Sequence, residues 1–196
     1  MNTLTPTFFM LKWILIFGLI QPLTAQTVTS ISSRYSDSFV AWDLFGPDTL
    51  NPSVPDEEIL VGYFQMRWLE VQEDWTEWDF EVDGRKGTIR IKWKNDPSEW
   101  ELRTYDGKIV TMKTIWRGNF TQWRITDNTQ TFTYRSTYTN DLGNWSCNSS
   151  AGYFEMEVWN MNDPRDWQLV DQMESVDFSI KLAMIFLTTY YSSPKA

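Results

Sequence analysis

The sequence predicts an all-β fold with a C-terminal helix. We expect an antiparallel up-and-down meander of about twelve strands, whose apolar face is buried against an apolar C-terminal segment. Three observations predict it: a tandem repeat of paired aromatic residues, strict alternation of apolar and polar residues within each repeat, and an almost wholly apolar stretch near the C-terminus.

The repeat is a pair of aromatic residues that recurs along the chain. The first members lie 25, 23, 22 and 21 residues apart, and such a period is typical of a repeated supersecondary unit. Within each pair the spacing is seven residues, or eight in the last. The pairs are Trp68 and Trp75, Trp93 and Trp100, Trp116 and Trp123, Tyr138 and Trp145, and Trp159 and Trp167.

Each unit has the pattern of two strands joined by a tight turn. Ile89, Ile91 and Trp93 alternate with polar residues, and the segment 94–98 then supplies Asn, Asp and Pro, which favour a turn. Period-two alternation places one face of a strand against a core and the other in water. We expect the first strand at Phe39–Leu44, a loop at 51–55, and the last strand ending at Asp171.

The C-terminal stretch Phe178–Tyr190 is expected to be buried. Its run of Leu, Ala, Met and Lys favours a helix, which Ser175, Asp177 or Ser179 would cap and 192–194 would end. A helix that is apolar on all sides belongs in an interior. A closing strand is the alternative, because apolar residues also alternate from Phe178 to Phe186.

Residues 1–25 have the pattern of a secretory signal peptide, with Lys12 before a short apolar run and small residues up to Ala25. That run is too short to span a membrane as a helix, so integral membrane insertion is not expected. We therefore predict a single hairpin-repeat domain over 26–196, secreted or periplasmic after cleavage.

Composition disfavours several classes of function. The net charge is −9, whereas nucleic-acid binding needs a basic surface. The chain has no His and one Cys, which removes His-dependent triads and zinc sites. It carries no phosphate-binding glycine loop or nucleophile-elbow motif. We predict no metal, no cofactor and no catalytic residue.

Two sets of residues are candidates for a ligand site. The acidic cluster Glu73, Asp74, Glu77 and Asp79 could bind calcium or supply an acid–base pair, although its alternation with apolar residues also suits a solvated strand face. Trp75 and Trp159 are candidate aromatic platforms, because their strand parity points them outward. Parity assigns most of the tryptophans to the core: Trp68, Trp78, Trp93, Trp100, Trp116 and Trp123.

The leading functional hypothesis is a noncatalytic binding or envelope-associated module whose ligand, a glycan or a lipid, is not identified. One alternative is a carboxylate-dependent hydrolase acting on glycans through the cluster at 73–79. The other is an outer-membrane β-barrel, whose strands also alternate but place their apolar face toward lipid.

The pattern resembles the superfold shared by the tubby, LURP-one and phospholipid scramblase domains. The segments that carry the likeness are 100–110, 123–127 and the tail 181–187. The resemblance implies a closed barrel around a central hydrophobic helix. Members of those families are largely intracellular, and the basic residues with which tubby domains bind phosphoinositide have no counterpart here, so it implies no site residue.

Overall fold

The computed structural model describes residues 28–48, 57–68, 74–138 and 141–195. Over these ranges the chain forms a closed barrel of twelve antiparallel strands and one α-helix, which confirms the predicted fold class. The predicted signal peptide at 1–25 and the predicted loop at 51–55 lie outside the described residues.

The barrel is a simple meander, in which each strand pairs with its neighbours in sequence and β1 pairs with β12 to close the ring. The strands are β1 (Ser30–Ser33), β2 (Ala41–Pro47), β3 (Glu58–Met66), β4 (Glu77–Val82), β5 (Arg85–Trp93), β6 (Asp96–Thr104), β7 (Ile109–Thr114), β8 (Gln122–Thr126), β9 (Thr131–Tyr138), β10 (Asp141–Ser149), β11 (Gly152–Asn160) and β12 (Asp163–Asp171). The helix α1 spans Phe178–Ser192.

Alternation places the apolar side chains inside the barrel. In β4, Trp78, Phe80 and Val82 are buried, whereas the residues between them are only partly buried on the outer wall. The first strand was not predicted, because β1 is four residues long and Ile31 alone faces inward. The strand predicted at Phe39–Leu44 corresponds to β2.

The helix α1 fills the barrel, and the helical alternative for the C-terminal stretch is confirmed. Asp177 caps it by accepting a hydrogen bond from the Ser179 backbone N–H at 2.9 Å. Phe186 packs edge-on against Trp78 and Trp100, with ring centroids 5.7 and 5.0 Å apart. The inward face of the barrel and the apolar helix therefore bury each other.

Each even-numbered strand has a buried tryptophan among its first five residues, held in the same way in every strand. Its indole Nε1 donates to the backbone carbonyl three residues earlier, at 2.8 to 3.1 Å. Within the described ranges this arrangement occurs at Trp42, Trp78, Trp100, Trp123, Trp145 and Trp167, all nearly inaccessible to solvent. The structural repeat is thus a two-strand hairpin present six times, whereas the sequence pairing had located five copies.

Candidate functional site

The described residues of the predicted acidic cluster lie in two places. Asp74 lies in a turn, whereas Glu77 and Asp79 lie on the outer face of β4, where they form ion pairs. Asp74 accepts a hydrogen bond from the Thr76 backbone N–H at 3.0 Å, which closes the turn before β4. Glu77 and Asp79 both pair with the guanidinium of Arg67, and Arg67 Nη2 lies 2.7 Å from Asp79 Oδ1. Glu73 lies outside the described residues. The described carboxylates are therefore already bonded to groups of the protein itself.

Trp75 does not point outward as predicted. It lies in the turn before β4, where strand parity does not apply, and it packs against the core. Its ring centroid is 5.9 Å from that of Trp78 and 6.3 Å from that of Tyr190. Its backbone carbonyl accepts the Trp78 indole N–H. A stacking platform for a ligand needs a free ring face, and Trp75 is only partly exposed.

Trp159 is exposed, as its parity predicts, with 71% of its surface accessible. It borders a shallow groove of about 280 Å³ on the outer wall. Strands β1 and β12 contribute the polar groups of this groove, and Ser32 Oγ donates to Asp166 Oδ1 at 2.7 Å. Ser30 faces Gln168 two residues farther along the same pair of strands. An exposed indole thus lies beside hydroxyl, carboxylate and amide groups.

Three tryptophans assigned to the core by parity are exposed instead. Trp68, Trp93 and Trp116 have 47, 56 and 65% of their surfaces accessible. Trp68 and Trp116 lie two residues beyond the ends of β3 and β7, where the alternation of a pleated strand no longer applies. Trp93 lies beyond an irregularity in the pairing of β5 with β6, where the register shifts between Ile91 and Trp93. Trp78, Trp100 and Trp123 are buried, as predicted.

Six exposed aromatic residues of the described chain form a ring at one end of the barrel, which we call the aromatic rim. Each lies within two residues of the end of an odd-numbered strand, beside the turn to the next strand. The end of α1 lies at the same side, since Tyr191 Oη donates to the Pro97 carbonyl at 2.6 Å. Among the described residues the aromatic rim consists of Tyr35, Trp68, Trp93, Trp116, Tyr138 and Trp159, which are 40 to 71% exposed.

The sequence repeat contained a signal for this ring. Five of its six residues are the first members of the aromatic pairs, whereas the buried tryptophans include the second members of the last four pairs. Tyr35 and Trp42 are also seven residues apart, but this pair was missed because it lies 33 residues before Trp68, outside the period of 21 to 25. The first member of each pair is exposed, whereas the second is buried or partly buried. This difference becomes visible only once the structure shows where the turns lie.

A second concave feature lies at the opposite end, where α1 enters the barrel. A cavity of about 370 Å³ has Phe80, Phe178 and Leu182 among its lining residues. Lys108 at its mouth pairs with Asp177. Burial acts to raise the pKa of Asp177, but hydrogen bonds with Lys108 and Ser179 lower it to about 2. The cavity is lined by residues of the β4–β5 turn, the β6–β7 turn and the start of α1. These three segments are distant from one another in the sequence.

Two further properties concern the described part of the chain alone. It contains no group of three or more His, Cys, Asp or Glu side chains placed to hold a metal ion. No helix within it combines the length and apolar character needed to span a bilayer.

Comparison with protein families, with curated proteins and with solved structures finds no match to this chain. The likeness to the tubby, LURP-one and scramblase barrels therefore stays a prediction from the sequence pattern.

Proposed function

We propose that the protein, once exported, is a noncatalytic binding module that recognises carbohydrate through the aromatic rim. The observation that carries this proposal is the ring of exposed tryptophan and tyrosine side chains at one end of the barrel. An aromatic face offers a large apolar area at little cost in side-chain entropy. The C–H face of a sugar ring is also apolar, so the two surfaces stack while the sugar hydroxyls remain free to form hydrogen bonds.

The groove beside Trp159 is the most complete subsite of the rim. A sugar stacked on the indole would bring its hydroxyls to Asp166, Gln168 and the serines of β1. A few well-placed polar groups around an apolar surface are typical of ligand sites. Because the groove is open along the outer wall, it suits a segment of a chain better than an enclosed small molecule.

Charge favours carbohydrate over a lipid surface. Asp37, Asp74, Asp96, Asp141 and Asp163 lie in or next to five of the turns that carry the rim. These carboxylates would meet a bilayer first, and anionic lipid headgroups would repel them. The net charge of −9 acts in the same direction. Sugar hydroxyls, in contrast, readily donate hydrogen bonds to carboxylates.

The other two functional alternatives have less support. A glycan hydrolase would need carboxylates free to exchange protons, and Glu77 and Asp79 are held by Arg67. An outer-membrane barrel places its apolar side chains toward lipid, whereas the apolar side chains of these strands pack around α1. Both features favour a binding module.

The test is affinity electrophoresis and calorimetry against a panel of polysaccharides. Trp159→Ala combined with Trp116→Ala should weaken binding about 2- to 10-fold per site, since an aromatic contact contributes roughly 0.5–1.5 kcal/mol beyond burial. Tyr105→Ala is the matched control, because Tyr105 is 72% exposed but lies at the opposite end of the barrel.

Two results would overturn the proposal. One is glycan binding that is unaffected by the rim variants, or affected equally by Tyr105→Ala. The other is glycan cleavage that disappears in Glu77→Gln with Asp79→Asn while the circular dichroism spectrum is retained, because that result would make the protein a hydrolase.

A further inference from the structure

One sector of the aromatic rim differs from the rest in its charge. Trp93 and Trp116 occupy neighbouring hairpins of this sector, and both are more than half exposed. Basic side chains surround them, although the protein as a whole is acidic. We call this sector the basic-aromatic patch. It consists of Lys92, Trp93, Lys94, Lys113, Trp116 and Arg117.

The indole of Trp93 is held in place by an ion-paired glutamate. Its Nε1 donates to Glu99 Oε2 at 3.1 Å. Glu99 also accepts a hydrogen bond from Lys92 Nζ at 2.6 Å and lies 3.6 Å from Lys113 Nζ. Glu99 itself is 9% exposed, so it presents little negative charge to solvent. The ring is therefore ordered before any ligand arrives, which reduces the entropy lost on binding.

Two cations of the patch remain available to a ligand. Lys94 and Arg117 are both exposed, and in the described ranges neither forms an ion pair. The nearby carboxylate of Asp96 belongs to the residue that pairs across the strands with Trp93. The pKa of Asp96 is lowered by its hydrogen bond with Ser98 and, to a smaller extent, by the charges of Arg117 and Lys113. Four cations thus face two carboxylates, Asp96 and Glu99.

We propose that the basic-aromatic patch binds an anionic polysaccharide, with sugar rings stacked on Trp93 and Trp116 and acidic groups paired with Lys94 and Arg117. This inference rests on the proposed carbohydrate-binding function and adds the class of ligand. The shared chemistry is a sugar that carries a carboxylate or a sulfate. An ordered indole beside free cations meets both requirements of such a ligand: stacking for the ring and charge for the acid.

The Trp159 groove supplies a comparison within the same rim. The residues that line it include Asp166 and no basic side chain. It suits a neutral sugar, whereas the basic-aromatic patch suits an acidic one. Single-stranded nucleic acid also combines stacking with negative charge. The surplus of positive charge here is small and the remaining surface is acidic, which favours the more weakly charged polysaccharide.

The experiment compares four polymers on the full chain: polygalacturonate with carboxylates, dextran sulfate with sulfates, unmodified dextran as the neutral polymer, and oligodeoxythymidylate. The charge variant is Lys94→Gln with Arg117→Gln, and the stacking variant is Trp93→Ala with Trp116→Ala. All four residues are exposed, so both variants are expected to fold. The matched control is Lys86→Gln with Arg103→Gln, which removes two exposed cations near the opposite end of the barrel.

We expect the parent chain to bind at least one anionic polysaccharide more tightly than dextran, with an affinity that falls as salt is added. The charge variant should lose about tenfold in that affinity, as expected for two exposed ion pairs, and should retain its binding of neutral glycan. The stacking variant should also bind the anionic polymer more weakly. The control should bind like the parent. The polymer that binds identifies the acidic group.

Three results would overturn the proposal. The charge variant could bind the anionic polysaccharides as tightly as the parent does. The parent could prefer dextran. Oligodeoxythymidylate could bind more tightly than either anionic polysaccharide and displace it. In each case, glycan binding that still depends on Trp159 would leave the proposed function standing. If the parent binds no polysaccharide at all, the proposed function fails as well.

Discussion

Two tryptophans of one hairpin, Trp93 and Trp100, allow a sharp test of how burial is divided within the repeat. They lie seven residues apart, and strand parity assigns both to the core, yet Trp93 is 56% exposed and Trp100 is fully buried. Trp100 has its ring centroid 5.0 Å from that of Phe186 and 4.7 Å from that of Tyr190. Its Nε1 lies 3.0 Å from both the Pro97 carbonyl and Tyr191 Oη. Replacing each by Ala in turn should therefore have very different effects.

We expect Trp100→Ala to lower the free energy of unfolding by about 3–5 kcal/mol, because it leaves a cavity and removes two hydrogen bonds. Trp93→Ala should change it by no more than about 0.5 kcal/mol, as is usual for exposed positions. Urea denaturation followed by circular dichroism measures both. With a slope near 2 kcal/mol per molar, the first change moves the midpoint by about 2 M and the second by about 0.25 M. Equal shifts for the two variants would refute the assignment of burial.

Three other predictions concern the helix, its cap and the cysteine. A chain ending at Asp177 should aggregate, whereas one ending at Tyr191 should be monomeric by gel filtration, because α1 supplies the core of the barrel; a soluble, cooperatively melting shorter chain would contradict this. Since the pKa of Asp177 is lowered to about 2, its stabilising effect should be complete above about pH 4 and be lost as the pH falls toward 2. Asp177→Asn should flatten the dependence of unfolding free energy on pH in that window, and an unchanged profile would argue against the pairing with Lys108. Burial raises the pKa of Cys147 to about 11, so a thiol reagent at pH 8 should modify it only after unfolding; rapid labelling of the native chain would place the thiol at the surface.

The sequence alone determined the fold class and the role of the tail, because both depend on local patterns. Alternation along β4 specifies an inward and an outward face wherever a strand is regular. The residue types of 178–187 favour a helix, and Asp177 is a side chain that caps one. An apolar helix and a one-faced sheet each need a partner, so packing of the sheet against the helix follows from what each must bury.

Only the tertiary structure decided which aromatic residue of each pair is buried. The position of a residue in a strand predicts its burial only where the strand is regularly pleated. The prediction fails at Trp75, Trp68 and Trp116 because these residues lie in turns. It fails at Trp93 because the pairing of β5 with β6 shifts its register there. Such a shift depends on both paired strands and cannot be read from the sequence of one. The closing strand β1 was likewise missed, since its pairing with β12 joins residues more than 130 positions apart.

The aromatic rim is the clearest case of a site that the sequence contains but does not assemble. Its members are spread from Tyr35 to Trp159, and each lies beside a different turn. Closure of the barrel brings these turns to one end, because every odd-numbered strand runs in the same direction in an antiparallel meander. The local pattern therefore specified each hairpin, and the long-range closure of the sheet placed six aromatic side chains in one ring.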